Sequence, residues 1–252
     1  MHVETASLSL IGHREENQDR VGVVVHDKSV FAVVIDGMGG HNAGARAAEL
    51  AKKVILELFD EAEKPIYHPR EFLVQCIEQA HTALVELGSD QSVDTRPRAT
   101  CAMALIQKNK AYWAHVGDSR IYHLRNRKMV ARTRDHSHIE ILLREGLITE
   151  DEYREHPLRN YVEHCIGGEA REPFCSVAGA KTLQRDDVLL LCSDGLWGGA
   201  DDSQIAEYFP SAFAELDLHS NMRELMEAAI KAEAPHSDNT SAVVIHWRAG
   251  ED

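Results

Sequence analysis

The sequence predicts a layered α+β fold, with mainly antiparallel sheets packed face to face and helices on both outer faces. Three observations predict it. Strand and helix patterns come in blocks rather than in strict βαβ alternation. Turns as short as Lys108-Asn109-Lys110 join successive strand-like runs, which places neighbours antiparallel. Long amphipathic helical patterns sit between the strand blocks, so helices can cover the sheets.

In chain order, strand-like segments fall near 4–10, 21–26 and 30–36. A helical stripe of Leu50, Val54, Ile55 and Leu58 follows, then a second of Leu73, Ile77, Ala80, Leu84 and Leu87, closed by Gly88. The polar stretch 88–98 reads as a surface loop, and strands resume near 99–107, 110–116 and 120–124. Residues 136–165 carry an amphipathic segment with Ile139, Leu142 and Leu143, a break at Gly146, and the acidic stretch Glu150-Asp-Glu-Tyr-Arg-Glu. A strand near 187–193, a helix near 221–233 bearing Met222, Leu225, Met226, Ala229 and Ile230, and a strand near 241–247 complete the series. No Pro/Gly/Ser-rich linker divides the 252 residues, so a single domain over 1–252 is expected.

Composition excludes several function classes. A formal charge of −14 spread along the chain argues against nucleic acid or an anionic membrane as partner, because both need clustered Lys and Arg. Five widely spaced cysteines, Cys76, Cys101, Cys165, Cys175 and Cys192, read as reduced thiols of a cytoplasmic protein. Their spacing does not suit structural zinc. The first residues carry no signal peptide and no run reaches membrane-spanning length.

The chemistry lies in the strand ends. Phe31 to Asp36-Gly37, Tyr112 to Gly117-Asp118 and Val188 to Asp194-Gly195 are apolar runs that each end in an aspartate beside glycine. Asp-Gly is also a common turn, but three such endings plus Asp238-Asn239 suggest one shared polar site. Asp19 joins them in Arg14-Glu-Glu-Asn17-Gln-Asp19. Carboxylates without His or Cys at ligand spacing favour Mg²⁺ or Mn²⁺ over zinc or copper. Two such ions about 3.5–4 Å apart can share a hydroxide that attacks a phosphate ester, and Arg14 can clamp the phosphate in a bidentate fork.

These motifs resemble the metal-dependent serine/threonine protein phosphatases of the PPM class, or type 2C, in their bacterial form. Gly12-His-Arg14-Glu-Glu-Asn17-Gln-Asp19 resembles the family's opening GxRxxNxD, and Asp36-Gly37-Met38-Gly39-Gly40-His41 its bacterial DGMGGH. Val116-Gly117-Asp118-Ser119-Arg120, Asp135-His136-Ser137, His156-Pro157-Leu158-Arg159-Asn160, Ser193-Asp194-Gly195-Leu196-Trp197 and Asp238-Asn239 follow in family order. The resemblance implies a four-layer α-β-β-α sandwich with metals in a cleft at one edge. It implies that Asp36 bridges two Mn²⁺ or Mg²⁺ ions with the Gly37 carbonyl on one of them, that Asp194 and Asp238 hold one ion, and that Asp19 serves the other, partly through water. Asp118 matches the ligand of a third, weaker metal, and Arg14 the phosphate-binding arginine. The implied reaction is hydrolysis of phosphoserine and phosphothreonine in proteins by a metal-bridging hydroxide. A bacterial Ser/Thr kinase would supply the substrates, and the enzyme is expected to be a monomer. Residues 136–165 correspond to a flap beside the cleft, on which the acidic stretch is expected to select substrates.

The chain departs from the family pattern in places. Ala99-Thr100-Cys101 stands where Gly-Thr-Thr is usual, and Tyr161-Val-Glu163-His164-Cys165 where many relatives have a threonine and an arginine. Met38 replaces the histidine that animal relatives carry. Protonation of the leaving alkoxide then falls to metal-bound water or to another side chain, with His41 nearby in sequence. Two rival readings are a catalytically silent phosphoprotein-binding module and an enzyme for small phosphate esters alone.

Overall fold

The computed structural model describes residues 2–40, 42–92, 95–169, 171–209 and 217–248. His41 lies outside the described residues.

The chain opens with strands β1 (Val3–Leu10), β2 (Asp19–His26) and β3 (Ser29–Met38), then helices α1 (Ala43–Glu61) and α2 (Pro69–Leu87). A strand block follows: β4 (Arg98–Ala99), β5 (Cys101–Gln107), β6 (Lys110–Val116), β7 (Arg120–Arg125) and β8 (Lys128–Arg132). Helices α3 (His138–Arg144) and α4 (Glu150–Glu155) precede the short strands β9 (Ile166–Gly167), β10 (Ser176–Val177) and β11 (Lys181–Thr182). The chain ends in β12 (Asp187–Cys192), α5 (Asp194–Gly199), α6 (Asp202–Glu207), α7 (Leu218–Ala232) and β13 (Thr240–Trp247).

One sheet has five strands in the order β1-β13-β12-β7-β8, and the other has eight, built along β10-β6-β5-β3-β4-β9 with β2 on β3 and β11 on β6. Every pairing is antiparallel. The strands of the interior are apolar on both faces, and their period of two sorts the side chains between layers. On β3, Val30, Ala32 and Val34 meet Leu189, Leu191, Val243 and Ile245 of the other sheet. The alternate residues Phe31, Val33 and Ile35 face α1 and α2. On β12, Val188, Leu190 and Cys192 face Trp197, Met222, Leu225 and Met226. Three apolar clusters therefore fill the three gaps of an α-β-β-α sandwich, the layered fold expected from the sequence.

Several local expectations shift. The buried face of α1 is Ala47, Ala48, Ala51, Ile55 and Phe59; of the expected stripe Ile55 is buried, while Leu50, Val54 and Leu58 are half-buried. Small alanines let the helix approach the sheet closely, and Phe59 then stacks on Phe31 at 4.7 Å between ring centroids. The short strands β8 to β11 are not legible in the sequence, because strands of two to five residues carry little apolar period. The run 99–107 is interrupted at Thr100, whose N–H donates to the Asp36 carbonyl at 2.9 Å. Cys76, Cys101, Cys165, Cys175 and Cys192 are all free thiols.

The start of β12, the central strand of the five-stranded sheet, is tied to β7 by Asp187, whose Oδ1 and Oδ2 accept from Arg125 at 2.6 and 2.7 Å and whose Oδ2 also pairs with His123 at 2.8 Å. Burial alone would raise this carboxyl, but the bonds from Arg125 and His123 outweigh it and hold its pKa down at about 2. A depressed carboxyl contributes stability above its unfolded pKa, roughly 3.9, and loses it as pH falls from there toward the folded value. Asp187→Asn is expected to cost about 3 kcal/mol at neutral pH, with the gap to wild type closing below about pH 4. Urea titrations at both pH values check this; a constant gap would assign the effect to packing.

Candidate active site

A cleft of about 740 Å³ collects residues from β3 and from the segments that flank β2, β6, β12 and β13. His13, Arg14, Glu16, Gln18, Asp36, Gly37, Met38, Asn42, Asp118, Asn160, Val162, Asp194, Asp238 and Asn239 are among its lining residues. Chain segments far apart in sequence thus deliver Arg14, Asp36, Gly37, Asp118, Asp194 and Asp238 to one cavity.

Each arrives by a definite local device. Asp36 does not end its strand: β3 continues through Gly37 to Met38 and pairs with Ala99 and Arg98 of β4. Gly37 is required there, because a Cβ would stand 2.0 Å from the Gly44 carbonyl oxygen of α1 and 2.8 Å from that of Gln18. Asp118 follows β6 across Gly117, whose φ of +93° allows the sharp exit. Asp194 is the first residue of α5, immediately after Ser193. Asp238 lies just before β13.

Asp19 stands opposite Asp36 in the β2–β3 register and is 2% exposed, but it is not among the cleft-lining residues. It lies beside Asp36 on the neighbouring strand, where Ser193 Oγ donates to its Oδ2 at 2.7 Å. Arg14 Nη2 donates to Asp238 Oδ2 at 2.6 Å at the more exposed rim. Asn239 fixes the loop that carries Arg14: its Nδ2 donates to the carbonyls of Ile11 and Glu16, and its Oδ1 accepts from Gln18 N–H.

The electrostatics of the floor are unfavourable in isolation. Burial raises the pKa of Asp36 and Asp194 well above the ordinary carboxylate range, and repulsion from neighbouring aspartates adds to it. Asp19 is pushed up to about 7 by burial, against the opposing bond from Ser193. Asp118 also rises to about 7, by burial and by the charge of Asp135, and its buried Oδ1 has no hydrogen-bond partner. Such a set must take up protons or a cation. Oxygen-only donors and an orphaned carboxylate oxygen fit a hard divalent ion such as Mn²⁺ or Mg²⁺. Among the described residues no three His, Cys, Asp or Glu side chains form a ready-made coordination sphere.

Sequence reasoning passed over His13, Glu16, Gln18, Asn42, Asn160 and Val162 as cleft residues and Ser193 and Asn239 as supports. Ser193, Asn239, His13, Glu16, Gln18 and Asn160 sit inside the recognised motifs and were within reach; Asn42 and Val162 lie outside them. Glu150, Asp151 and Glu152 are not among the cleft-lining residues, and Glu152 bonds Thr149 in a capping box that starts α4. Of residues 136–165, Asn160 and Val162 line the cleft.

Comparison with known proteins agrees with this geometry. Residues 9–234 match the family model for protein phosphatase 2C. The serine/threonine phosphatase stp of Listeria innocua is 32% identical over 202 residues, 79% of each chain. Protein phosphatase PhpP of Streptococcus pneumoniae is 32% identical over 212 residues, 83% of this chain and 85% of that one. The S. agalactiae serine/threonine phosphatase superimposes with a TM-score of 0.86 at 27% identity, covering 98% of this chain and all of that one. The catalytic domain of the phosphatase PstP, solved in complex with two manganese ions, gives a TM-score of 0.78 at 25% identity over 97% of both chains. The aligned motifs, the four layers and the acidic cleft have one common explanation: the chain belongs to the protein phosphatase 2C family.

Proposed function

We propose that this chain is a metal-dependent protein phosphatase that hydrolyses phosphoserine and phosphothreonine, acting as one catalytic unit with residues 136–165 as its flap. The observation that carries the reading is the set of mutually repelling carboxylates, buried Asp118 and partly buried Asp36 and Asp194, facing a cleft that also holds Arg14.

Asp36, the Gly37 carbonyl, Asp194 and Asp238 would hold two Mn²⁺ or Mg²⁺ ions, with Asp19 in support beside Asp36 and Asp118 available to a third. When bound, the ions acidify water to a nucleophile at neutral pH and neutralise charge on the phosphoryl oxygens. Arg14 binds the phosphate: a guanidinium carries five N–H donors, so its bond to Asp238 leaves capacity for phosphoryl oxygens. Asn239 and Gln18 keep the Arg14 loop in register with Asp238. Met38 lines the cleft and cannot pass a proton to the leaving alkoxide. Asn160 and Val162 contact the chain on either side of the phosphorylated residue.

Among the described residues no helix is long and apolar enough to cross a membrane. Free cysteines and an overall charge of −14 support a monomeric enzyme of the cytoplasm, and phosphoserine and phosphothreonine substrates would make it the opponent of a Ser/Thr kinase.

The test compares turnover of a phosphothreonine peptide and of p-nitrophenyl phosphate with Mn²⁺ present. Hydrolysis of both, with the higher kcat/KM on the peptide, is the expected result. Turnover of the small ester alone would reduce the function to small phosphate esters, and binding of the phosphopeptide without turnover would identify a silent module.

A further inference from the structure

The flap is latched to the turn that carries Asp118. Residues 136–165 leave and rejoin the body beside Gly117: the His136 N–H donates to the Gly117 carbonyl at 2.9 Å, the Gly117 N–H donates to His136 Nδ1 at 3.2 Å, and the Glu163 N–H donates to the His136 carbonyl at 2.9 Å. Between these ends, Tyr153 is the single buried residue of α4, at 4% exposure. Its hydroxyl donates to Asp135 Oδ2 at 2.7 Å and accepts from Arg120 Nη2 at 3.0 Å. Arg120 grips Asp135 in a bidentate pair at 2.8 and 2.6 Å, and its guanidinium carbon lies 3.8 Å from the ring centroid of Trp197. Trp197 Nε1 in turn donates to the Asp118 carbonyl at 3.0 Å. Asp135, Arg120, Trp197 and Asp118 are all buried, so no water competes for these bonds.

We propose that Tyr153 is a positioning residue that couples seating of the flap helix α4 to the Asp118 carboxylate, through Asp135, Arg120 and Trp197. The inference rests on the reading of Asp118 as a metal-binding side chain. A hydroxyl that both donates to a buried carboxylate and accepts from its guanidinium partner fixes α4 at one point, and six residues with one buried side chain have little else to hold them. The same pair braces the indole that holds the Asp118 backbone. Loosening α4 therefore loosens the turn, and metal capture at Asp118 draws the flap down, because coupling is reciprocal.

Tyr153→Phe tests this, since it deletes the hydroxyl and leaves the ring in the core. The Mn²⁺ concentration for half-maximal p-nitrophenyl phosphate turnover is expected to rise about three- to tenfold, with KM for the ester changed less than about twofold. In metal-free protein, amide hydrogen exchange should accelerate at 117–120 as well as at 150–155. Trp197→Phe, which removes the donor to the Asp118 carbonyl and shrinks the ring under Arg120, should raise the Mn²⁺ requirement in the same direction. In an Asp118→Asn background, Tyr153→Phe should add nothing to the Mn²⁺ requirement. Faster exchange confined to 150–155 with an unchanged Mn²⁺ requirement would overturn the coupling and leave Tyr153 a local anchor. Equal effects with and without Asp118 would overturn it too. Failure of the phosphatase reading looks different: wild-type protein would show no Mn²⁺-dependent turnover, while the exchange at 117–120 would still decide the coupling.

Discussion

Asp36→Asn and Asp194→Asn are each expected to lower kcat by about 10³-fold or more, equal to about 4 kcal/mol of transition-state stabilisation. Both side chains reach the same cleft, and both sit among carboxylates that repel them. The amide keeps the shape of the side chain and removes the charge that holds a divalent ion. Excess chelator should likewise abolish hydrolysis in the wild type, and added Mn²⁺ or Mg²⁺ should restore it. The same substitutions should leave the metal-free protein as stable as the wild type or more so, because they delete a buried carboxylate that burial and like charges disfavour. Opposite signs for activity and for the thermal midpoint of chelated protein separate loss of a ligand from loss of fold. Turnover within tenfold of wild type in either variant, or full activity in chelator, would sink the metal-centred mechanism.

Arg14→Ala is expected to reduce kcat/KM by about 10²-fold, with the loss greater in kcat/KM than in KM alone, because the guanidinium follows charge on the phosphoryl oxygens as it develops. Lys should restore only part, since an ammonium supplies the charge without the planar fork. The side chain is more than half exposed and pairs with Asp238, so its removal should barely change stability. An unchanged kcat/KM would return Arg14 to the role of a rim partner for Asp238. A large fall in thermal midpoint would assign it to the fold instead.

Much of this molecule is written in local sequence. Long strands and helices announce themselves by period: Leu73, Ile77, Ala80 and Leu84 are buried on α2, and Met222, Leu225, Met226 and Ala229 on α7, because each side of a helix returns every three to four residues whatever it packs against. The strand endings of Asp118 and Asp194, and Asp238 before the last strand, could be read the same way, since a carboxylate beside an apolar run is conspicuous at the level of sequence.

Other features belonged to the tertiary structure. On α1 the apolar stripe of Leu50, Val54, Ile55 and Leu58 is legible, but only contact with the sheet decided that Ile55 is buried with Ala47, Ala48, Ala51 and Phe59 while Leu50, Val54 and Leu58 are half-buried. Which residues of 136–165 line the cleft is likewise a tertiary matter: Asn160 and Val162 do, and Glu150, Asp151 and Glu152 do not. Asp19 and Asp36 are both aspartates in motifs, and the β2–β3 register sets them side by side, yet only Asp36 lines the cavity. The sequence by itself determined which residues are apolar, which are acidic and in what order they come, because those are properties of neighbours along the chain. Only the tertiary structure decided which acids share a cleft and which flap side chain reaches the Asp118 turn, because those contacts join residues up to hundreds of positions apart and depend on how two sheets meet.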